Sequence, residues 1–192
     1  MKTLSALALA FAVFAPAAAL AQGNPPGPRV VVIDKVAILQ SSKVGQDVAK
    51  QVQGLAEQAR KDLTAQGQAI QTEGRQLQQQ VAILAPDLKQ KRMAAFEAKQ
   101  RSLQGAAQKK DEQIKGGFLR ARQAMEQALG PILEEVVKER GANLVLDKQA
   151  VVFANNGAFD ITREVIARLD QKMPTYKVTL AAAPAPSAPA QQ

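Results

Sequence analysis

The sequence predicts a mostly helical α+β protein: a long antiparallel helical hairpin, of coiled-coil character, standing on a small β-rich oligomerisation body. Three observations predict it. Apolar residues recur at helical steps from Val44 to Leu84 and again from Leu88 to Val136. Ala85-Pro86-Asp87 separates the two stripes. Short β-branched or apolar runs, RVVVID at 29–34, NLVLD at 143–147 and VVFA at 151–154, flank the helical stretch.

The hairpin rests on periodicity. Val44, Val48, Val52, Leu55, Leu63, Ile70, Leu77, Val81 and Leu84 lie on one stripe, with Ala59 filling a gap. Leu88, Phe96, Leu103, Ala107, Ile114, Phe118, Met125, Leu129, Ile132 and Val136 form the second. Pro86 cannot continue the first helix but suits the opening turn of the second, where Asp87 meets the positive end of the helix dipole. Pro86 and Asp87 are therefore placed at the hairpin tip. Ser42 and Gly130 are equidistant from Pro86, so the two arms return to the same height, each roughly 65 Å long at ~1.5 Å per residue. Ser41 or Ser42 caps the outgoing helix, and Gly130-Pro131 is expected to kink the returning one.

The body is expected to form from residues 29–40 and 131–176, with the hairpin at 41–130 between them. Its strands would present Val30, Val31, Val32, Ile33, Leu144, Val145, Leu146, Val151, Val152 and Phe153. Gly141 supplies a C-terminal cap to the long helix, and Asp160-Ile161-Thr162 opens a last helix with Ile161, Val165, Ile166 and Leu169 on one side. Three short strands do not make a stable sheet alone, so self-association is expected.

Composition agrees with an elongated shape. Of 192 residues 46% are hydrophobic, but 36 are Ala, six are Phe and one is Tyr. The absence of Cys, His and Trp removes disulfides, thiol nucleophiles, common zinc motifs and Ser-His-Asp triads. No catalytic residue, metal or cofactor is expected; Asp147 and Asp160 beside the strands are read as turn or cap residues. Met1-Lys2-Thr3, the apolar run Leu4 to Pro16 and Ala19-Leu20-Ala21 read as a signal peptide over residues 1–21, and hence as export. Residues 22–28 are expected to be a disordered lead-in, and 177–192 a disordered Ala/Pro-rich tail.

The formal charge is +8, and it sits in the arms: residues 41–130 hold 15 Lys+Arg against 9 Asp+Glu. Lys89, Lys91, Arg92, Lys99 and Arg101 cluster just past the tip, opposed by Asp87 and Glu97, and Lys109 and Lys110 follow. Such a rim steers acidic chains or anionic headgroups through long-range fields. The 90 residues of the arms contain 18 Gln and eight Gly against 19 Val, Ile, Leu, Met or Phe, which predicts weakly glued, bendable prongs.

This order of parts, and above all the stretch from Leu144 to Thr162 with its LVxD strand, Phe153, Asn-rich turn and Asp160-Ile161-Thr162, resembles the Skp (OmpH) family of periplasmic chaperones over about Arg29 to Met173. The resemblance implies a homotrimer whose hairpins surround a cavity. It implies a holdase that keeps unfolded outer-membrane β-barrel proteins from aggregating in the periplasm without ATP, with the arm cations steering clients. Anionic lipid or lipopolysaccharide is a further implied partner class. An ungapped match puts Gly116-Gly117 where some members carry an Arg pair for lipopolysaccharide, and Lys109-Lys110 substitutes only if the alignment shifts.

Three other readings stand beside it. A basic exported protein binding polyanions such as nucleic acid fits a pI near 9.9, but the arms carry few aromatic residues for stacking, so no specific nucleic-acid partner is expected. An envelope spacer or adaptor also uses a long hairpin, yet needs further β-rich domains for which this chain has no room. An enzyme is the third, and lacks a motif.

Overall fold

A computed structural model describes residues 27–153 and 157–182. The signal peptide expected at 1–21, most of the lead-in, Ala154 and the tail from 183 onward lie outside the described residues.

Strand β1 (Val30–Ile33) pairs in parallel with β2 (Leu144–Asp147), Val30 opposite Leu144 and Ile33 opposite Asp147. A parallel pair needs a crossover connection, and here the entire hairpin supplies it. On its other side β1 is bridged at Val32 by Asp160, and the Ile161 amide donates to the Val32 carbonyl at 3.0 Å. The third strand expected at 151–154 is absent over Val151 to Phe153. A strand exists through its ladder, and around Val32 the second edge of β1 is already taken by the lead-in to the last helix.

Between β1 and the outgoing arm lies a helix that the periodicity does not signal, α1 (Lys35–Ser41). It is too short for a hydrophobic pattern to stand out. Its local signal is Asp34, whose Oδ1 accepts from the Ala37 amide at 2.8 Å while its own amide donates to Thr162 Oγ1 at 2.9 Å. Ser42 ends α1 and caps α2 (Lys43–Gln80), accepting from the Gly45 amide at 3.2 Å. A β-carbon on Gly45 would lie 1.8 Å from the Leu39 carbonyl oxygen, so this corner closes only with glycine.

The chain turns through Val81–Ala85 and re-enters helix at Pro86, opening α3 (Pro86–Glu139) with Asp87 in its first turn. The arms are antiparallel in the register that symmetry about Pro86 predicts: Gly67 meets Leu103, Gly74 meets Phe96, Glu73 meets Lys99, and Gln80 meets Arg92. α3 passes through Gly130-Pro131 to Glu139 as one helix. It stops in a Schellman motif: Gly141 adopts φ +59°, its amide donates to Lys138, and the Ala142 amide donates to Val137.

The core is confined to the foot of the arms. Ile38, Val44 and Val48 pack with Ala121, Met125, Ile132 and Val136, with Val31 and Ile33, and with Ile161, Val165 and Leu169 of α4 (Thr162–Lys172) or its lead-in. Each fully buried aliphatic side chain of this kind contributes roughly 1.5 to 3 kcal/mol. Farther out, the seam residues Leu63, Ile70, Leu77 and Leu103 are only half-buried, as two helices without a third layer dictate. Leu88 and Phe118, expected in the seam, are exposed. At the level of Phe118 the buried residues of α3 are instead Gly116, Gly117 and Ala121, which carry little hydrophobic signal in a sequence.

The segment after α4 differs from expectation. Residues 177–182, expected to begin a disordered tail, turn back along the arms. The Tyr176 amide donates to Asp47 Oδ2 at 3.3 Å, the Gln51 side chain bonds both Tyr176 O and the Val178 amide, and Ala181 N donates to Gln113 O at 3.2 Å. Val178 is buried there.

Candidate functional site

Two surfaces of this fold carry chemistry: the outer arms and the outward side of the body. On the arms the expected cations divide. Lys99 is paired across the hairpin with Glu73 at 2.6 Å, and Arg101 lies 3.8 Å from Glu97 one turn away. Each therefore has a carboxylate beside it that offsets part of its charge. Arg92 donates to the neutral Gln80 at 2.9 Å, so its charge is uncompensated. Among the described residues no carboxylate lies within ion-pair distance of Lys89, Lys91, Arg92, Lys109 or Lys110. The positive rim is therefore three residues at the tip and two farther along α3.

Beside the tip cations lies apolar surface. Ile83 in the turn is 84% exposed, and Leu88 and Met93 are exposed on the first turns of α3. Leu77, Val81, Met93 and Phe96 line an open cleft between the arms, rimmed by Arg75 and Lys89. Long stems of Lys and Arg can lie along apolar surface while their heads stay in water, so the tip presents apolar surface and positive charge side by side. The sequence points to the cations and not to the exposed apolar residues beside them, because a stripe alone does not tell which of its members face a partner helix.

On the body, the residues expected to assemble copies also divide. Val31, Val32 and Ile33 are consumed by the protomer's own core, and Val30, Val145, Leu146 and Val151 are half-buried. Leu144 and Phe153 face solvent, Phe153 at 81%, and Val152 is fully exposed. Phe159, which no pattern in the sequence singles out, is exposed with them. Phe153 and Phe159 line one groove with Val32, Leu146 and Val151.

The carboxylates beside the strands behave as caps. Asp147 Oδ1 accepts from the Gln149 amide at 3.1 Å. Asp160 accepts from the Thr162 amide and from Lys148 Nζ, both at 2.9 Å. Burial works against ionisation of Asp160, but the bonds from Thr162 and Lys148 hold its carboxyl below its ordinary range. A denser ionic clamp ties α4 to the end of α3: Arg168 reaches Glu139, Glu164 and Glu135, and Arg140 reaches Glu164 at 2.5 Å. Hydrogen bonds from Arg168 and Arg140 hold Glu139 and Glu164, respectively, below the usual carboxylate range. Among the described residues no group of three or more acidic side chains is arranged to hold a metal ion, and no helix is long and apolar enough to cross a membrane.

The comparisons with known proteins agree with this architecture. Among curated proteins there is no match. The fold is similar to the crystal structure of a candidate outer membrane chaperone (OmpH-like) from Caulobacter crescentus CB15, with a TM-score of 0.75 and 25% identity, covering 82% of this chain and 92% of that one. The family model described as outer membrane protein (OmpH-like) matches residues 29–169, which spans β1, both arms, β2 and most of α4, and the chain belongs to that family.

Proposed function

We propose that this protein is an ATP-independent holdase of the periplasm, which binds unfolded outer-membrane β-barrel proteins between the arms of a homotrimer and keeps them from aggregating before membrane insertion. The observation that carries the reading is the juxtaposition at the arm tips of uncompensated Lys89, Lys91 and Arg92 with exposed Ile83, Leu88 and Met93, in a chain of the OmpH-like family. Unfolded clients expose apolar side chains in quantity, and many shallow contacts hold them without a defined pocket. Affinity then comes from several arms acting together. The trimer is supported by the outward cluster of Val152, Phe153 and Phe159, apolar surface that water penalises until a second copy covers it.

The test is direct. An outer-membrane barrel diluted from urea aggregates, and light scattering follows it. Added protein, without nucleotide, suppresses the scattering in proportion to its concentration. Unchanged scattering at excess protein rejects the holdase.

A further inference from the structure

The segment after α4 is seated in a groove that reads main chain. The Gln51 side-chain amide accepts from the Val178 amide at 2.9 Å and donates to the Tyr176 carbonyl at 2.8 Å, the two-point pairing that a neighbouring strand gives an extended peptide. Asp47 takes the Tyr176 amide at 3.3 Å, and Gln113 O takes the Ala181 amide at 3.2 Å. Side chains alternate over its first four residues, Tyr176 half-buried, Lys177 exposed, Val178 buried and Thr179 exposed, and the alternation ends at Leu180, which is exposed. The floor is Gly117, where a β-carbon would lie 2.5 Å from Thr179 O and 3.1 Å from Val178 Cγ1. None of these polar contacts depends on the identity of the seated residues. What the groove receives is an extended backbone with apolar side chains turned inward at two alternate positions, 176 and 178.

We propose that this groove is a binding site for extended polypeptide of alternating apolar and polar residues, and that the strap 176–181 occupies it as an intramolecular competitor. Resting on the holdase reading, the occupant it is displaced by is a strand-forming segment of a barrel client, since transmembrane β-strands alternate in this way. Main-chain bonds supply affinity and the Val178 position supplies selection, as in strand addition to a sheet edge. The strap lowers the groove's apparent affinity by the fraction of time it is seated.

The probe is a fluorescent peptide of about ten residues alternating Val, Leu and Tyr with Thr and Ser, the length and pattern of a barrel strand. A control peptide has the same residues in apolar and polar blocks. In the full chain, Val178→Asp releases the strap and is expected to tighten binding of the alternating peptide by about tenfold in fluorescence anisotropy. Adding Gln51→Ala to that variant abolishes the gain. Equal binding by the variant and the unmodified chain, equal binding of the block peptide, or indifference to Gln51→Ala overturns the proposal. A second measurement needs no variant: saturating alternating peptide speeds hydrogen exchange of the Val178 and Ala181 amides in the unmodified chain, and unchanged exchange overturns the proposal equally. If barrel aggregation is suppressed while these readouts stay flat, the groove proposal fails alone. If the peptide binds as expected and no barrel is held, the holdase reading fails and the groove stands.

Discussion

Gly74 on the outgoing arm faces Phe96 on the returning arm so closely that a β-carbon at position 74 would lie 2.9 Å from Phe96 Cζ. The glycine lets the ring lie across the seam near the tip, between the cross-arm contacts of Lys99 with Glu73 and Arg92 with Gln80. Glycines of the arms therefore do not share one role. Gly45 and Gly117 likewise stand at close approaches, whereas a β-carbon on Gly54 or Gly105 would meet nothing within 4 Å, and both are free to serve as points of bending.

That division separates four alanine substitutions. Gly45→Ala drives a methyl into the Leu39 carbonyl, a backbone atom that cannot swing away, and is expected to cost about 3 kcal/mol in denaturant unfolding. Gly74→Ala meets the far end of a flexible ring, so its cost is largely offset by the roughly 1 kcal/mol that alanine gains over glycine in a helix. Gly54→Ala and Gly105→Ala keep that gain of up to about 1 kcal/mol each and stiffen the arms. If Gly45→Ala proves as mild as Gly105→Ala, the α1–α2 corner has room for a methyl and is not closed by glycine.

The ionic clamp predicts an acid limit for the body. Glu139 and Glu164 have carboxyls held low by Arg168 and Arg140 in the folded state. A depressed carboxyl contributes stability that is present above its unfolded value, near 4.3 for Glu, and is lost as pH falls through the folded one. The thermal midpoint should hold from pH 7 to about 5 and then decline toward pH 3. Arg168→Gln should make that decline shallower, with the two proteins converging at low pH. Parallel curves would show that the clamp does not set the acid limit. Glu139 and Arg140 are exposed, and Glu164 and Arg168 only half-buried, so the effect is expected to shrink in high salt.

Much of this architecture was legible because it rests on spacing. Two apolar stripes broken at Pro86 specify antiparallel arms and even their register, and Gly141 and Asp160-Ile161-Thr162 mark helix boundaries by local chemistry alone. What escaped the sequence was tertiary. Val178 sits in a short segment beside an Ala/Pro run, and no local signal reports that Gly117 leaves room for it across the helices. Val151 to Phe153 has a strand's composition but no ladder within this protomer. Lys99 and Arg101 count as free cations in a sequence, while in the fold Lys99 is held by Glu73 from the opposite arm and Arg101 lies near Glu97 on its own.

Assembly through the body is testable at side chains the protomer does not use. Val152 and Phe153 are exposed in the single chain, so Val152→Asp or Phe153→Asp leaves its own core intact. Sedimentation velocity is expected to show the unmodified protein as trimer and each variant shifted to monomer, with helical circular dichroism unchanged. A trimer that survives both substitutions places the subunit contact elsewhere.

The arm cations make a kinetic prediction that separates steering from sticking. Lys89, Lys91 and Arg92 have no carboxylate partner among the described residues, so their field reaches outward. Reversing all three to Glu should slow capture of an acidic unfolded client severalfold at low salt, where the screening length approaches about 30 Å near 0.01 M. Near 1 M, where it falls to about 3 Å, the two proteins should capture at closely similar rates. Lys99→Glu alone should act differently. It breaks the cross-arm pair with Glu73 and loosens the seam, changing client dissociation more than association. Stopped-flow fluorescence of a labelled client reads both rates. Equal association rates for the triple variant and the unmodified protein at low salt would show that the tip charges do not steer, and would leave the apolar residues Ile83, Leu88 and Met93 as the contact that captures clients.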